Sequence, residues 1–76
     1  MLPSIYPNPT NDKLTINLND NKFNKLTIVN TLGQTLMEEK ISNNVTTIST
    51  QLLVPGIYQL VLKGESDVRV IKIEKR

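Results

Sequence analysis

Short segments with an apolar residue at every second position, separated by turn-forming residues, limit this chain to few folds. Residues 13–18 place leucine or isoleucine at alternate positions, and residues 25–30 repeat the pattern with more β-branched side chains. Successive side chains of a β-strand point to opposite faces, so each segment presents one buried and one solvated face. Further strands are predicted at residues 35–41, 45–49, 57–63 and 68–73.

Turn chemistry separates these segments. Polar residues predict turns at residues 19–22, 42–44 and 64–66, and Pro55 with Gly56 marks another turn before residue 57. Residues 31–34 are the best hairpin candidate, because Gly33 adopts a positive φ at no steric cost. Residues 35–41 are interpreted as its return strand, although residues 36–40 also suit a helical turn.

Six or seven short strands without a long helix predict an all-β domain, and the simplest closure is an immunoglobulin-like antiparallel β-sandwich. Residues 57–63 are apolar on both faces, which predicts a central strand covered on each side. We expect one domain over residues 1–76, with an extended lead-in and turn over residues 2–12 and the sandwich over residues 13–76. A chain of this length buries only about 60% of its unfolded surface, so one thin core is the limit.

The composition removes most routes to catalysis. The chain has no cysteine and no histidine, which excludes disulfides and thiolate metal sites and removes the usual general base. We therefore predict no enzymatic activity and no cofactor. No apolar run reaches the roughly 18 residues of a membrane helix. No signal peptide is visible at the start, so Met1 is expected to be the initiator of an excised fragment.

The net charge of +2 belongs to the end of the chain. The first 66 residues are neutral, and the last ten contain four basic and two acidic residues: Arg69, Lys72, Lys75 and Arg76 against Asp67 and Glu74. A basic tail without a basic face, together with only three aromatic residues, argues against nucleic-acid binding.

These landmarks follow one another in an order that resembles the C-terminal sorting domain of type IX secretion substrates, the type A sorting tail of Bacteroidota. The likeness begins at Tyr6-Pro7-Asn8-Pro9-Thr10, continues through residues 28–34 and 53–58, and closes on the basic end, residues 69–76. No single piece is specific, but their order and spacing make a joint signal. The loop at residues 50–54 is more apolar than the usual pattern.

The resemblance implies a role as an export signal. Similar domains end a larger cargo protein, cross the inner membrane with it and fold in the periplasm. The implied partners are the type IX translocon, an outer-membrane shuttle protein and a sortase that removes the domain. The cargo is then secreted or attached to surface lipopolysaccharide.

The resemblance also implies three groups of recognition residues, namely Pro7, Asn8 and Pro9, then Gly56 and Tyr58, then Lys72, Lys75 and Arg76. Each group has a structural interpretation as well. The prolines keep an exposed strand from pairing, the glycine permits a bend, and the tyrosine buries its ring while its hydroxyl finds a carbonyl. The basic residues either form the solvated face of an edge strand or dock on an acidic or carbonyl-rich receptor surface.

Other functions remain as alternatives. A generic immunoglobulin-like or fibronectin-like spacer, or a carbohydrate-binding module of a surface protein, is the main one. Exposed edge strands also permit a weak dimer. A calcium site at Asn17, Asn19, Asp20 and Asn21 is disfavoured, because one carboxylate is too few.

Overall fold

A computed structural model describes residues 4–18 and 23–76, and the polar turn predicted at residues 19–22 lies outside the described residues. The described residues contain no helix and form seven strands: β1 (Ser4–Tyr6), β2 (Lys13–Asn17), β3 (Lys25–Val29), β4 (Thr35–Lys40), β5 (Val45–Ser49), β6 (Gly56–Lys63) and β7 (Val68–Lys75). A helix long and apolar enough to cross a membrane is therefore not found in this part of the chain. The all-β prediction is confirmed.

The strands form two sheets, one with the order β1-β2-β5 and the other with the order β4-β3-β6-β7. Every pair of neighbouring strands is antiparallel. The register aligns apolar positions, with Leu14 opposite Ile48 in the first sheet and Leu26 opposite Leu62 in the second. Two antiparallel sheets in this order are compatible with an immunoglobulin-like sandwich.

The alternating residues of both sheets meet in one hydrophobic core. The positions predicted from the period of two in β2 and β3 are fully or almost fully buried, namely Leu14, Ile16, Leu18, Leu26 and Ile28. Each fully buried aliphatic side chain contributes about 1.5–3 kcal/mol to the stability of the fold. Apolar burial therefore holds the two sheets together in a chain without cysteine.

The predicted hairpin at residues 31–34 joins β3 to β4, which is a strand and not a helical turn. Gly33 has a φ of +83°, in the region that glycine enters without penalty. The Asn30 side chain accepts hydrogen bonds from the N–H of Leu32 at 2.9 Å and of Gln34 at 3.0 Å. It also donates to Oε1 of Gln34 at 2.8 Å, so this side chain reinforces the backbone hydrogen bonds that close the turn.

The strand β6 lies between β3 and β7, as predicted for a central strand, but only one of its faces is covered. Tyr58, Leu60 and Leu62 are buried in the core, whereas Ile57 is 41% exposed and Gln59 is exposed. The prediction that both faces are covered is wrong, because the described residues form no third layer over this sheet.

Candidate functional site

The segment that contains Pro7 and Pro9 lies against the free edge of β7. Proline has no backbone N–H, so neither residue can donate to a neighbouring strand. The side chain of Asn8 takes over this role, since its Nδ2 donates to the carbonyl of Lys72 at 3.1 Å and its Oδ1 accepts from the N–H of Glu74 at 3.0 Å. The asparagine amide thus pairs with β7 as a backbone peptide group does.

Thr10 continues this contact through its backbone. Its N–H donates to the carbonyl of Glu74 at 2.8 Å, and its carbonyl accepts from the N–H of Arg76 at 2.9 Å, in a short parallel bridge. Its buried hydroxyl donates to the carbonyl of Lys13 at 2.6 Å, which anchors the segment to the start of β2. The final residues of β7 are therefore covered along their free edge.

Lys75 departs from the prediction for the basic end, because its side chain is buried and only 7% of it is exposed. Lys75 lies opposite Gly56 in the register, and its ammonium donates to the backbone carbonyls of Thr50, at 2.7 Å, and of Asn11. A buried charge needs such partners, because leaving it unsatisfied costs several kcal/mol. The expectation that Lys75 belongs to a solvated face is therefore wrong, and its docking on a receptor stays a prediction, while Lys72 and Arg76 are exposed as predicted.

Thr50 closes the same cluster from the end of β5. Its N–H donates to the carbonyl of Asp12 at 2.7 Å, and its hydroxyl donates to the carbonyl of Asn11 at 3.2 Å. The hydroxyl oxygens of Thr10 and Thr50 are 3.3 Å apart, and both residues are fully buried. The sequence interpretation missed both threonines, because threonine next to a turn is usually a surface residue.

Tyr58 fixes the start of β6. Its ring is buried and its hydroxyl donates to the carbonyl of Val54, which confirms the structural interpretation of this residue. A tyrosine near the start of the sixth strand that bonds to an upstream carbonyl resembles the tyrosine corner of immunoglobulin-like sandwiches. Gly56, just before it, has a φ of +155°, a backbone conformation that residues with a side chain rarely adopt.

The eight predicted recognition residues lie together at the end of the sandwich where β6 begins and β7 ends. Five of them are exposed, namely Pro7, Asn8, Gly56, Lys72 and Arg76; Pro9 is half-buried, and Tyr58 and Lys75 are buried. Contact between the lead-in segment and β7 brings the first and last groups together although more than 60 residues separate them in sequence. Recognition of these residues by a receptor stays a prediction.

A group of exposed apolar residues at the same end was missed from the sequence. The exposed fraction is 82% for Leu32, 45% for Leu36, 98% for Leu52 and 72% for Val54. They line two open hollows of about 430 Å³ each, and both hollows include Asn30 and Tyr58. The available signal was the apolar run at residues 52–54, of which only Leu53 is buried.

This end of the molecule presents exposed cations, apolar side chains and amide groups that are held in place by hydrogen bonds. Such a mixture suits contact with another protein, whose interfaces combine an apolar centre with a polar rim. Within residues 4–18 and 23–76, no three side chains of the metal-ligating types come together.

Comparison with known families matches residues 4–75 to the family described as the secretion system C-terminal sorting domain. No curated protein matches the chain. The family is typical of Bacteroidota and consists of non-catalytic signals that interact with the type IX secretion machinery and direct export to the cell surface or the medium. The match covers nearly the whole chain, so this protein belongs to the family of type IX secretion C-terminal sorting domains.

Proposed function

We propose that this domain is a folded export signal, read at the outer membrane by the type IX translocon and its shuttle protein. A cargo protein fused upstream travels with it through the periplasm and reaches the outer membrane, the cell surface or the medium. The observation that supports this proposal is the pairing of the Asn8 side chain with β7. Because of this pairing, one receptor can contact the start and the end of the domain at once.

The exposed residues of this surface are the ones that a receptor touches under this proposal. Lys72 and Arg76 supply positive charge beside the rigid segment of Pro7 and Asn8. Exposed ion pairs contribute only about 0–1 kcal/mol each, so these cations set orientation and association rate more than affinity. Tyr58 and Lys75 act indirectly, because their hydrogen bonds hold the surface in place.

We also propose that a sortase removes the domain from its cargo at a junction upstream of Leu2. The pairing of β1 with β2 over Ser4–Tyr6 supports a junction on the cargo side of this strand, since a cut within it would remove part of the sheet. In this step the domain is the part of the substrate that is recognised, and it supplies no catalytic group. The cargo is left secreted or attached to surface lipopolysaccharide.

A reporter fusion tests the export function. Residues 1–76 are fused to the C-terminus of a reporter that carries a signal peptide, and the fusion is expressed in a strain with a working type IX system. We expect the reporter outside the outer membrane. Only a fusion that also carries the parent protein's residues upstream of Leu2 is expected to be shortened by the mass of the domain. If the reporter stays in the periplasm while a known sorting tail exports it, the proposal is wrong.

A pair of charge variants tests which part of the surface the receptor recognises. Replacing Lys72 and Arg76 with alanine removes two exposed cations, and we expect export to fall about three- to tenfold. The control replaces Lys13 and Lys40, which are also exposed but lie on other strands. Equal export by the two double variants indicates that the position of the cations is irrelevant and contradicts this assignment.

A further inference from the structure

Four exposed apolar side chains at the end of the sandwich form what we call the loop-end patch: Leu32, Leu36, Leu52 and Val54. Leu52 is 98% exposed, whereas its neighbour Leu53 is buried. This turn therefore packs Leu53 into the core and leaves Leu52 on the surface. Single exposed apolar residues are ordinary on a protein surface, but adjoining ones mark a place where another molecule binds.

Hydrogen bonds hold three members of the patch in fixed positions. The Asn30 side chain fixes the turn that carries Leu32. The N–H of Leu53 donates to the carbonyl of Thr50 at 3.1 Å, which closes the turn that carries Leu52. The hydroxyl of Tyr58 bonds to the carbonyl of Val54 itself. A surface that is ordered before binding loses less conformational entropy when a partner docks.

The lining of the patch indicates the chemistry of its partner. One hollow of about 430 Å³ is bounded by Leu36, Met37, Leu52, Leu53, Val54 and Tyr58, with the amide of Asn30 as its only other member and no charged side chain. An occupant with charged groups loses hydration there without a counter-charge. The occupant that fits is therefore an uncharged segment with apolar side chains.

A protein receptor fits this surface better than a membrane or a second copy of the chain. Anionic lipid attracts clustered basic residues, and only Lys72 lines the second hollow. Four side chains offer on the order of 400 Å², short of the roughly 800 Å² per partner of a stable interface. Lys72 lines the same hollow as Leu32, and this hollow shares Asn30 and Tyr58 with the one that contains the rest of the patch. A receptor that binds Lys72 therefore contacts the patch as well and buries more area than the patch alone.

We propose that the loop-end patch is the docking surface for an uncharged apolar segment of the type IX protein that recognises this domain. This inference rests on the proposed function. It assigns affinity to the apolar contacts and orientation to the exposed cations. The patch contains none of the residues that the sequence resemblance marked for recognition.

The test replaces Leu32 and Leu52 with serine in the reporter fusion. Both side chains are outside the core, so we expect an unchanged melting temperature, measured on residues 1–76. Loss of two leucine contacts is expected to lower export about tenfold or more. The matched control, Val68→Thr with Val70→Thr, removes exposed apolar groups from the outer face of β7 and is expected to change export less than about twofold.

A photo-activated crosslinker at position 52 identifies the occupant in the exporting strain. We expect an adduct with a component of the type IX outer-membrane machinery from position 52 and none from position 68. Export of the L32S/L52S variant at wild-type level overturns the docking surface alone. Failure of the wild-type fusion to be exported instead refutes the proposed function.

Two further outcomes assign the patch to another occupant and also overturn the inference. One is a wild-type domain that is dimeric by light scattering while the L32S/L52S variant is monomeric. The other is binding of the wild-type domain, but not the variant, to vesicles that contain lipopolysaccharide.

Discussion

Replacing Lys75 with methionine tests the cluster that joins the two ends of the chain. Methionine keeps most of the length and apolar area of the lysine side chain and removes the ammonium group. The variant loses the hydrogen bonds to the carbonyls of Thr50 and Asn11. Those carbonyls are not orphaned, because they also accept from the N–H of Leu53 and from the Thr50 hydroxyl.

The expected cost follows from these contacts. Two hydrogen bonds from a charged donor contribute about 3–6 kcal/mol together. Part of this is offset, because the variant no longer buries a charge, which costs several kcal/mol. We expect a net loss of about 2 kcal/mol, which lowers the melting temperature of a domain of this size by about 8–16 °C.

Urea and thermal unfolding of residues 1–76, followed by circular dichroism, measure this loss. Lys72→Met is the matched control, because Lys72 lies on the same strand but is exposed, and we expect it to change stability by less than about 0.5 kcal/mol. If Lys75→Met is as stable as Lys72→Met, the buried ammonium contributes nothing to the fold and the reasoning fails.

Three further substitutions test the turns at the same end. Asn30→Ala removes the three side-chain hydrogen bonds across the β3–β4 turn, keeps its backbone bonds and is expected to cost about 1–2 kcal/mol in urea unfolding, whereas Gln34→Ala loses one of the three and costs less. Tyr58→Phe removes only the hydroxyl bond to an upstream carbonyl and is expected to lower the unfolding free energy by about 1 kcal/mol, against no change for the exposed Tyr6→Phe. Gly33→Ala places a side chain at a φ of +83° and is expected to cost about 1–2 kcal/mol in the same assay, with Gly33→Asn costing less.

The strands and the core were predictable from the sequence because they depend on local alternation. The period of two placed Leu14 and Ile16 on one face and Leu26 and Ile28 on another, and all four are fully buried. The hairpin was predictable for a similar reason, because it depends on the positive φ that Gly33 adopts and on no distant residue. The covering of β6 was mispredicted because an apolar outer face indicates burial only if a third layer exists.

The contacts that build the candidate site were not predictable, because they join residues far apart in sequence. No local pattern places the Asn8 amide against β7 or the carbonyls of Asn11 and Thr50 around a lysine. A weaker signal was available for Lys75, since it continues the alternation of Ile71 and Ile73 on the inward side of β7. The residue type argued against burial, because lysine is almost never buried without a partner, and no partner was visible in the sequence.

Burial of Lys75 separates two explanations of why a sorting domain ends in basic residues. If the ammonium acts by holding the end of β7 against Thr50, export depends on the folded fraction of the domain. A chain of 76 residues has a stability of about 4–11 kcal/mol, so a loss of about 2 kcal/mol leaves at least about 95% of the molecules folded. We therefore expect Lys75→Met to export the reporter within about twofold of wild type at a growth temperature below its melting point.

Under the alternative, a receptor reads the charge of Lys75 directly, and the same variant loses export while it is still folded. The export of Lys75→Met is compared with that of Lys72→Ala/Arg76→Ala, which removes two exposed cations and leaves the buried cluster intact. The comparison separates the effect of the buried ammonium from that of the exposed charges. If Lys75→Met is not exported although circular dichroism of the purified variant shows a folded sandwich, this end of the domain opens before the receptor recognises it. The positional role assigned to Lys75 is then incorrect, since the ammonium becomes accessible only after it leaves the carbonyls of Thr50 and Asn11.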